Sequence, residues 1–197
     1  MIAYLLGNVN GAVVMSKIVA KEDVRSKGSG NAGLTNFVRN YGATKAVFVI
    51  LIDVGKAVLA CLIGRMILGA WGWYDEGVAI GALGVILGHD FPALLDFKGG
   101  KGILSGVTVA MMLDWRIGLV VFLMFAIVYL LTSYVSLGSV LSAGSFGFIY
   151  AYFHWGSWFP IVVSFFLSFL IVWMHRGNIQ RLLKGEERKT DLFKKKA

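Results

Sequence analysis

The chain has 197 residues, of which 57% are hydrophobic and only 15% are charged, and its mean hydropathy is +0.74. Soluble domains carry roughly 25% charged residues, so this composition excludes an ordinary soluble domain and indicates an integral membrane protein. A net charge of +8 would suggest nucleic acid as the partner of a soluble protein. Here the basic segments are short and separated by apolar runs, which favours membrane topology and anionic ligands instead.

Seven apolar segments are candidates to cross a bilayer, which takes about 20 residues of helix. They are residues 1–20, 44–64, 77–95, 102–113, 117–133, 138–154 and 158–174. Segment 102–113 is interpreted as a short or tilted span, because it is shorter than the others. The sequence therefore predicts an all-α integral membrane protein with about seven transmembrane helices, in a single domain over residues 1–197.

The sequence lacks several features that would change this interpretation. Residues 1–20 have no basic n-region and no A-x-A cleavage site, so we expect them to be retained as a transmembrane helix. The single cysteine, Cys61, lies in an apolar run and allows no disulfide framework. The three histidines are scattered, which gives no support for a metal site, and no cofactor is expected.

The distribution of lysine and arginine predicts the orientation. If the seven segments alternate, 16 of the 19 Lys and Arg residues lie on one side and only Arg65 and Arg116 on the other. Cytoplasmic loops carry the excess of positive charge, so the first side is cytoplasmic. The N-terminus is then outside the cell, and the C-terminus, with its basic tail, is cytoplasmic.

This topology places three polar, glycine-rich clusters on the cytoplasmic side. They comprise Gly28 to Asn31 with Thr35, Asn36 and Arg39; Gly88 to Pro92 with Phe97 to Gly102; and His175 to Asn178 with Arg181. Glycines let backbone N–H groups turn towards an anion, and a helix that starts near residues 31–34 would add its positive dipole end. Lys101 and Arg39 supply full positive charges. The three clusters together predict an anion-binding site.

Two further polar features lie outside these clusters. Asp53 and Lys56 are three residues apart within the second segment, where charges are costly and are usually paired or functional. A structural ion pair is the favoured interpretation of the two. His154 falls at the outer boundary, where we expect it to be interfacial and uninvolved in function.

Three motifs in these clusters resemble those of the PlsY family, the bacterial acyl-phosphate:glycerol-3-phosphate acyltransferases. D-x-R-x-x-G-S-G-N-x-G-x-T-N runs from Asp23 to Asn36, and G-H-x-F-P followed by F-K-G-G-K-G covers residues 88–92 and 97–102. H-R-x-N-I-x-R-L-x-x-G-x-E runs from His175 to Glu187. The chain departs from the family pattern at Asn8 and Ser105, which weakens a ligand role for those two residues.

The resemblance implies transfer of a fatty acyl group from acyl phosphate to the 1-hydroxyl of glycerol 3-phosphate. The products are lysophosphatidic acid and inorganic phosphate, in the first acylation step of phospholipid synthesis. The expected partners are the two substrates and the lipid bilayer, with no nucleic acid, acyl-CoA or acyl carrier protein. We expect a monomer in the bacterial cytoplasmic (inner) membrane, with its active site on the cytoplasmic face.

The resemblance also suggests roles for individual residues. The expected acyl-phosphate ligands are Ser29, Gly30, Asn31, Thr35, Asn36, Gly99, Gly100 and Lys101. The expected glycerol 3-phosphate ligands are Arg39, Lys101, Ser139, His175 and Asn178. Lys101, His175 and Asn31 are the candidate catalytic residues.

The general base remains open between a substrate phosphate oxygen and His175. The H-x-x-x-x-D dyad of many glycerolipid acyltransferases is absent, because Leu94, Phe159 and Gln180 stand where its aspartate would follow the three histidines. The phosphate is favoured, since a histidine among cations resists protonation. The alternative function is a membrane transporter of an organic phosphate, but such proteins place charge near the midplane between internal repeats, and no repeat is evident.

Overall fold

The computed structural model describes residues 1–190, and all regular secondary structure in that part is helical, which confirms the all-α prediction. The predicted tail reaches into residues 191–197, which lie outside the described part. The ten α-helices are α1 (Ile2–Asn8), α2 (Gly11–Ala20), α3 (Leu34–Tyr41), α4 (Ala43–Gly69), α5 (Tyr74–Asp90), α6 (Ile103–Leu113), α7 (Trp115–Thr132), α8 (Val135–Phe153), α9 (Trp158–Met174) and α10 (Arg176–Leu183).

Five segments in residues 1–190 are long and apolar enough to cross a membrane. They are Ile2–Ala20, Ala43–Gly69, Tyr74–Leu95, Trp115–Thr132 and Val135–Phe153. Helices α9 and α10 together form a sixth, bent by 56°. The predicted count of seven depends on α6, whose 11 residues extend only about 16 Å at 1.5 Å per residue.

The span predicted over residues 1–20 is present as Ile2–Ala20, but its helix is broken at Val9 and Asn10, between α1 and α2. The side chain of Asn10 stabilises the break: its Oδ1 accepts a hydrogen bond from the Val13 amide at 3.0 Å and caps α2. Its Nδ2 donates to the Ala32 carbonyl at 2.9 Å. The break therefore ties the first helices to the polar loop that follows α2.

Glycines allow α5 to pack directly on the backbones of α4 and α1. A Cβ atom at Gly81 would lie 2.3 Å from the Ala60 carbonyl oxygen, and one at Gly88 would lie 2.1 Å from that of Tyr4. Small residues are common where membrane helices approach closely, because packing rather than water exclusion holds them together. Helix α5 is therefore fixed against two neighbours along most of its length.

The buried apolar side chains form two groups. The larger group lies among α4 to α9 and includes the fully buried Tyr150. The smaller group joins α2, α3 and α4 and is centred on Phe37, with Val24 from the intervening loop also fully buried. The smaller group packs the first polar loop onto the helices, although most of that loop is hydrophilic.

His154 lies at the opposite end of the bundle from the polar loops, in the turn between α8 and α9. Its Nε2 lies 2.9 Å from Oδ2 of Asp114, the residue that caps α7. This contact joins the start of α7 to the end of α8. The sequence did not indicate this contact between His154 and Asp114.

The close approach of α5 to α4 predicts the effect of adding one methyl group. Gly81→Ala should destabilise the protein by about 1–3 kcal/mol, because the new Cβ meets backbone that cannot move aside. Gly144→Ala in α8 is the matched control, since its nearest neighbour would be a Val172 methyl at 3.7 Å. Thermal unfolding in detergent measures both, and equal melting temperatures would contradict the prediction.

Candidate active site

Hydrogen bonds bring the three polar clusters together at one end of the bundle. The Arg25 guanidinium donates to the carbonyls of Leu95 at 2.8 Å and Lys98 at 3.1 Å. The Lys101 ammonium donates to Oδ1 of Asn178. We call this region the polar end, and it consists of residues 21–42, 89–102 and 175–190. Arg25 is thus a link between two loops.

The first loop is organised around the side chain of Asn36, which is 2% exposed. Its Nδ2 lies 3.0–3.1 Å from the carbonyls of Val24, Lys27 and Asn31, and its Oδ1 accepts from the Ser29 amide at 3.0 Å. The amide hydrogens of Asn36 are therefore already donated within the loop. The structure gives Asn36 the role of shaping the loop, and its expected role as a phosphate ligand stays a prediction.

Other side chains of this loop remain available to a ligand. Ser29, Asn31 and Thr35 have no side-chain hydrogen bond to any residue in 1–190. Helix α3 begins at Leu34, as the sequence predicted. Its first turn adds free N–H groups and the positive end of the helix dipole next to these side chains. Gly30, with φ of 71°, supplies the left-handed turn that the loop needs.

We call residues 99–102 the glycine loop. Its first two backbone N–H groups point into the protein, whereas the sequence predicts that they face a bound anion. The amides of Gly99 and Gly100 donate to the carbonyls of Asp90 at 3.2 Å and His89 at 3.0 Å, so neither is free for a phosphate. A Cβ at Gly99 would lie 2.0 Å from the His89 carbonyl oxygen, and one at Gly100 would lie 2.1 Å from His89 Nε2. These two glycines are therefore required for close packing on the end of α5. Their expected role in binding phosphate stays a prediction, and their amides are engaged within the protein in this structure.

Lys101 is the cation that this packing presents. Its ammonium contacts Asn178, and burial, followed by the positive charge of Arg181, lowers the pKa of Lys101 to about 8. The carboxylate of Glu187 opposes this shift. A lysine in such surroundings gains much from a bound dianion, because the anion compensates both the burial and the neighbouring cations.

The segment after α10 folds back over the polar end through Glu187. Its carboxylate accepts hydrogen bonds from Asn178 Nδ2 at 2.7 Å, Ser136 Oγ at 2.8 Å and Arg181 Nε at 2.7 Å. Burial by itself would raise the pKa of Glu187, but these bonds outweigh it and lower the pKa. Glu187 thereby fixes Asn178, which in turn holds Lys101. The sequence offered only the final E of the third motif as a signal.

Thr190 continues this fold-back to Arg39. The Arg39 guanidinium donates to the Thr190 hydroxyl, and the Thr190 amide donates to the Ser133 carbonyl at 2.9 Å. The Tyr129 hydroxyl donates to the Thr190 carbonyl at 3.0 Å. Burial and the neighbouring Arg188 lower the pKa of Arg39, as expected of a cation held in a crowded positive site. Arg39 therefore lies at the polar end, as predicted, but linked to the tail.

His175 and Ser139 are both buried, at 4% and 1% exposure. Nδ1 of His175 lies 2.8 Å from the Ile171 carbonyl and must carry a proton there, so Nε2 of the neutral ring is left as an acceptor. Ser139 donates its hydroxyl to the Val135 carbonyl at 2.8 Å. Ser139 can still accept a hydrogen bond from a substrate hydroxyl, but it has no proton left for a phosphate. In this geometry Ser139 can bind glycerol 3-phosphate only as an acceptor, through a substrate hydroxyl.

The fold and the polar end together define an integral membrane protein that holds cations and neutral donors for anionic substrates at one end of an apolar helix bundle. Within residues 1–190, no three His, Cys, Asp or Glu side chains are grouped closely enough to hold a metal ion. The family can also be named: the model described as Glycerol-3-phosphate acyltransferase matches residues 1–185. The chain belongs to this family, the PlsY acyltransferases.

Individual relatives agree with the family assignment. A glycerol-3-phosphate acyltransferase of Thermoanaerobacter pseudethanolicus is 41% identical over 95% of this chain and 92% of its own length. One from Prochlorococcus marinus is 37% identical over 95% and 93%. The crystal structure of PlsY in its glycerol 3-phosphate form matches with a TM-score of 0.86, at 29% identity over 98% of this chain and 96% of that one. The lysophosphatidic acid form matches with a TM-score of 0.82 at 28% identity.

The hydrogen bonds of Asn36 predict that this residue controls the order of the first loop. Asn36→Ala should cost about 1–3 kcal/mol of local stability, because buried carbonyls lose their donors. The Ser29 amide, which Asn36 Oδ1 accepts, should exchange its hydrogen faster. Hydrogen–deuterium exchange measures this, and Asn40→Ala, which removes donors to Asn36 only, is the control. Unchanged exchange at Ser29 would refute the assigned role.

Proposed function

We propose that the protein transfers a fatty acyl group from acyl phosphate to the 1-hydroxyl of glycerol 3-phosphate, giving lysophosphatidic acid and phosphate. The family assignment supports a glycerol-3-phosphate acyltransferase and disfavours the alternative of an organic-phosphate transporter. The observation that carries the proposal is the contact of Lys101 with Asn178, because it places a half-buried cation where the second and third polar clusters meet, and Arg25 ties the first cluster to the second. The glycerol 3-phosphate and lysophosphatidic acid forms of the PlsY crystal structures support the same substrate and product.

The reaction needs positioning and charge stabilisation more than a dedicated nucleophile. The 1-hydroxyl oxygen attacks the acyl carbon, and the bond from that carbon to the phosphate oxygen breaks with its electron pair leaving on phosphate. Phosphate is a good leaving group from this mixed anhydride, so the protein has to hold two anions close together and stabilise the oxyanion. Lys101 is suited to this, because a single ammonium between two phosphates screens their repulsion.

The two substrates are assigned to different parts of the polar end. Ser29, Asn31 and Thr35, with the first turn of α3, bind the phosphate of the donor through their free donors. Arg39, His175 and Asn178 bind glycerol 3-phosphate. Asn178 is held by Glu187 at 2.7 Å, which keeps its amide in one orientation.

The hydroxyl proton passes to a phosphate oxygen of the donor, which then leaves as inorganic phosphate. His175 is the other candidate acceptor, and its geometry leaves Nε2 free for that role. A substrate oxygen is preferred because it moves the proton directly to the leaving group and needs no second transfer.

The same proposal includes the placement of the protein in its membrane. The excess of Lys and Arg at the polar end supports a cytoplasmic active site. If α6 counts as a pass beside the five long spans and the bent α9–α10 pair, the chain crosses seven times in one domain, with the N-terminus outside and the C-terminus inside. The bacterial cytoplasmic membrane is the location that this topology implies. The acyl chain leaves sideways between helices into the lipid, so a monomer suffices for turnover.

Donor specificity provides the direct test. Purified protein in detergent should convert palmitoyl phosphate and glycerol 3-phosphate into equal amounts of lysophosphatidate and inorganic phosphate, and should form no lysophosphatidate from palmitoyl-CoA. Lys101→Ala should lower kcat/KM on the order of 100-fold, as expected for loss of an oxyanion or phosphate donor. Activity with palmitoyl-CoA alone, or none with either donor, would reject the proposal.

The lowered pKa of Lys101 predicts a pH dependence. The ammonium is charged below its pKa of about 8 and becomes neutral above it, so kcat/KM for glycerol 3-phosphate should fall as the pH rises through that value. The residual activity of Lys101→Arg should lack this fall, because arginine stays charged. Initial rates from about pH 7 to about pH 9.5, corrected for uncatalysed hydrolysis of the donor, give the profile. A flat wild-type profile would count against the assigned role.

A further inference from the structure

The glycine loop that carries Lys101 rests on the last turn of α5. His89 and Asp90 accept the amides of Gly100 and Gly99 through their carbonyls, at 3.0 and 3.2 Å. The ring of His89 lies directly beneath Gly100, and all three atoms that a Cβ there would approach most closely belong to that ring. The loop therefore follows the position of the His89 side chain as well as the α5 backbone.

The His89 ring is itself held from below. Lys56 Nζ lies 2.7 Å from His89 Nδ1, 2.8 Å from Asp53 Oδ1 and 2.7 Å from the Val9 carbonyl. The Gly7 carbonyl lies further away, at 3.4 Å. Because an ammonium can only donate, Nδ1 accepts from lysine and the ring proton lies on Nε2, towards Gly100. Because His89 is only 5% exposed, the ring has little freedom to turn away.

The last residue of α5, Asp90, has a buried side chain that is unfavourable for stability. The Asp90 side chain is 1% exposed, and neither of its oxygens has a hydrogen-bond partner within residues 1–190. It lies under Gly102, whose Cβ would be 3.1 Å from Asp90 Oδ1. A buried carboxylate without a donor is costly, and such local violations are typical of functional sites.

We propose that His89 is a positioning residue for the acyltransferase reaction. Its ring supports Gly100 and so fixes the position of Lys101, and the ring is in turn held in place by Lys56. His89 itself touches neither substrate. The inference rests on the proposed role of Lys101 in binding glycerol 3-phosphate. It also assigns a function to the buried pair of Asp53 and Lys56: the pair holds the His89 ring in place where the apolar core meets the site.

A double-mutant cycle between His89 and Gly100 tests this directly. Gly100→Ala places a methyl 2.1 Å from His89 Nε2, so the loop must shift and the KM for glycerol 3-phosphate should rise at least tenfold. His89→Asn keeps an acceptor for Lys56 but removes the far side of the ring. In the double variant, Gly100→Ala with His89→Asn, the new methyl has room. The factor by which Gly100→Ala raises the KM should therefore be at least fivefold smaller in the His89→Asn background than in wild type.

His89→Leu is the second variant, since it has similar bulk but no acceptor for Lys56. It should raise the KM for glycerol 3-phosphate more than the KM for palmitoyl phosphate, and His89→Asn, which keeps the acceptor for Lys56 but not the ring beneath Gly100, should raise it less than His89→Leu does. Gly81→Ala is the control for stability alone: it should lower the melting temperature and leave both KM values within twofold of wild type. Each variant is compared by melting temperature and gel filtration of the full chain in detergent.

The outcomes separate the inference from the proposed function. If the methyl at Gly100 raises the KM by the same factor in the wild-type and His89→Asn backgrounds, the inference is overturned. The same holds if folded His89→Leu keeps a wild-type KM for glycerol 3-phosphate. If wild-type protein is inactive with both substrates, the proposed function fails, and the cycle read in the melting temperatures still decides whether His89 supports Gly100.

Discussion

The Lys56 ammonium imposes the constraint on which the polar end depends. An ammonium in an apolar bundle is tolerated only if each N–H meets an acceptor, and here the acceptors come from three places: Asp53 on α4, His89 on α5 and the Val9 carbonyl where α1 ends. The helix break at Val9 frees a carbonyl that a continuous helix would have used. One buried charge therefore fixes the mutual positions of three helices just below the loop that presents Lys101.

Hydropathy predicted most of the helices because each apolar run is bounded by charges or glycines. It missed the break at Val9 because the run over residues 1–20 is apolar on average, although Asn8 and Asn10 flank that residue and Asn10 caps α2. It also missed how α9 continues into α10 across a bend at His175. The Asn10 cap is a local signal of the break, but the contact of Lys56 with the Val9 carbonyl joins residues far apart in the sequence.

The site was predictable at the level of which clusters meet, because alternating spans bring them to one side. The roles within it were harder to predict. Asn36 and Gly100 have the residue types expected of phosphate ligands, but their hydrogen-bonding groups are used inside the protein. Glycine and asparagine serve close packing and loop closure as well as anion binding, so composition cannot distinguish these uses. Glu187 went unassigned because its partners, Ser136 and Asn178, become neighbours only in the folded chain.

The fold-back of Glu187 and Thr190 has a consequence for how the protein is made. Both residues follow α10, so the ribosome adds them after every helix of the described chain has been synthesised. Until the segment that carries them folds back, the helices can occupy the membrane while Asn178, Arg181 and Arg39 lack the partners that Glu187 and Thr190 supply. Completion of the polar end is therefore timed by the folding back of the segment after α10 and not by membrane insertion of the helices.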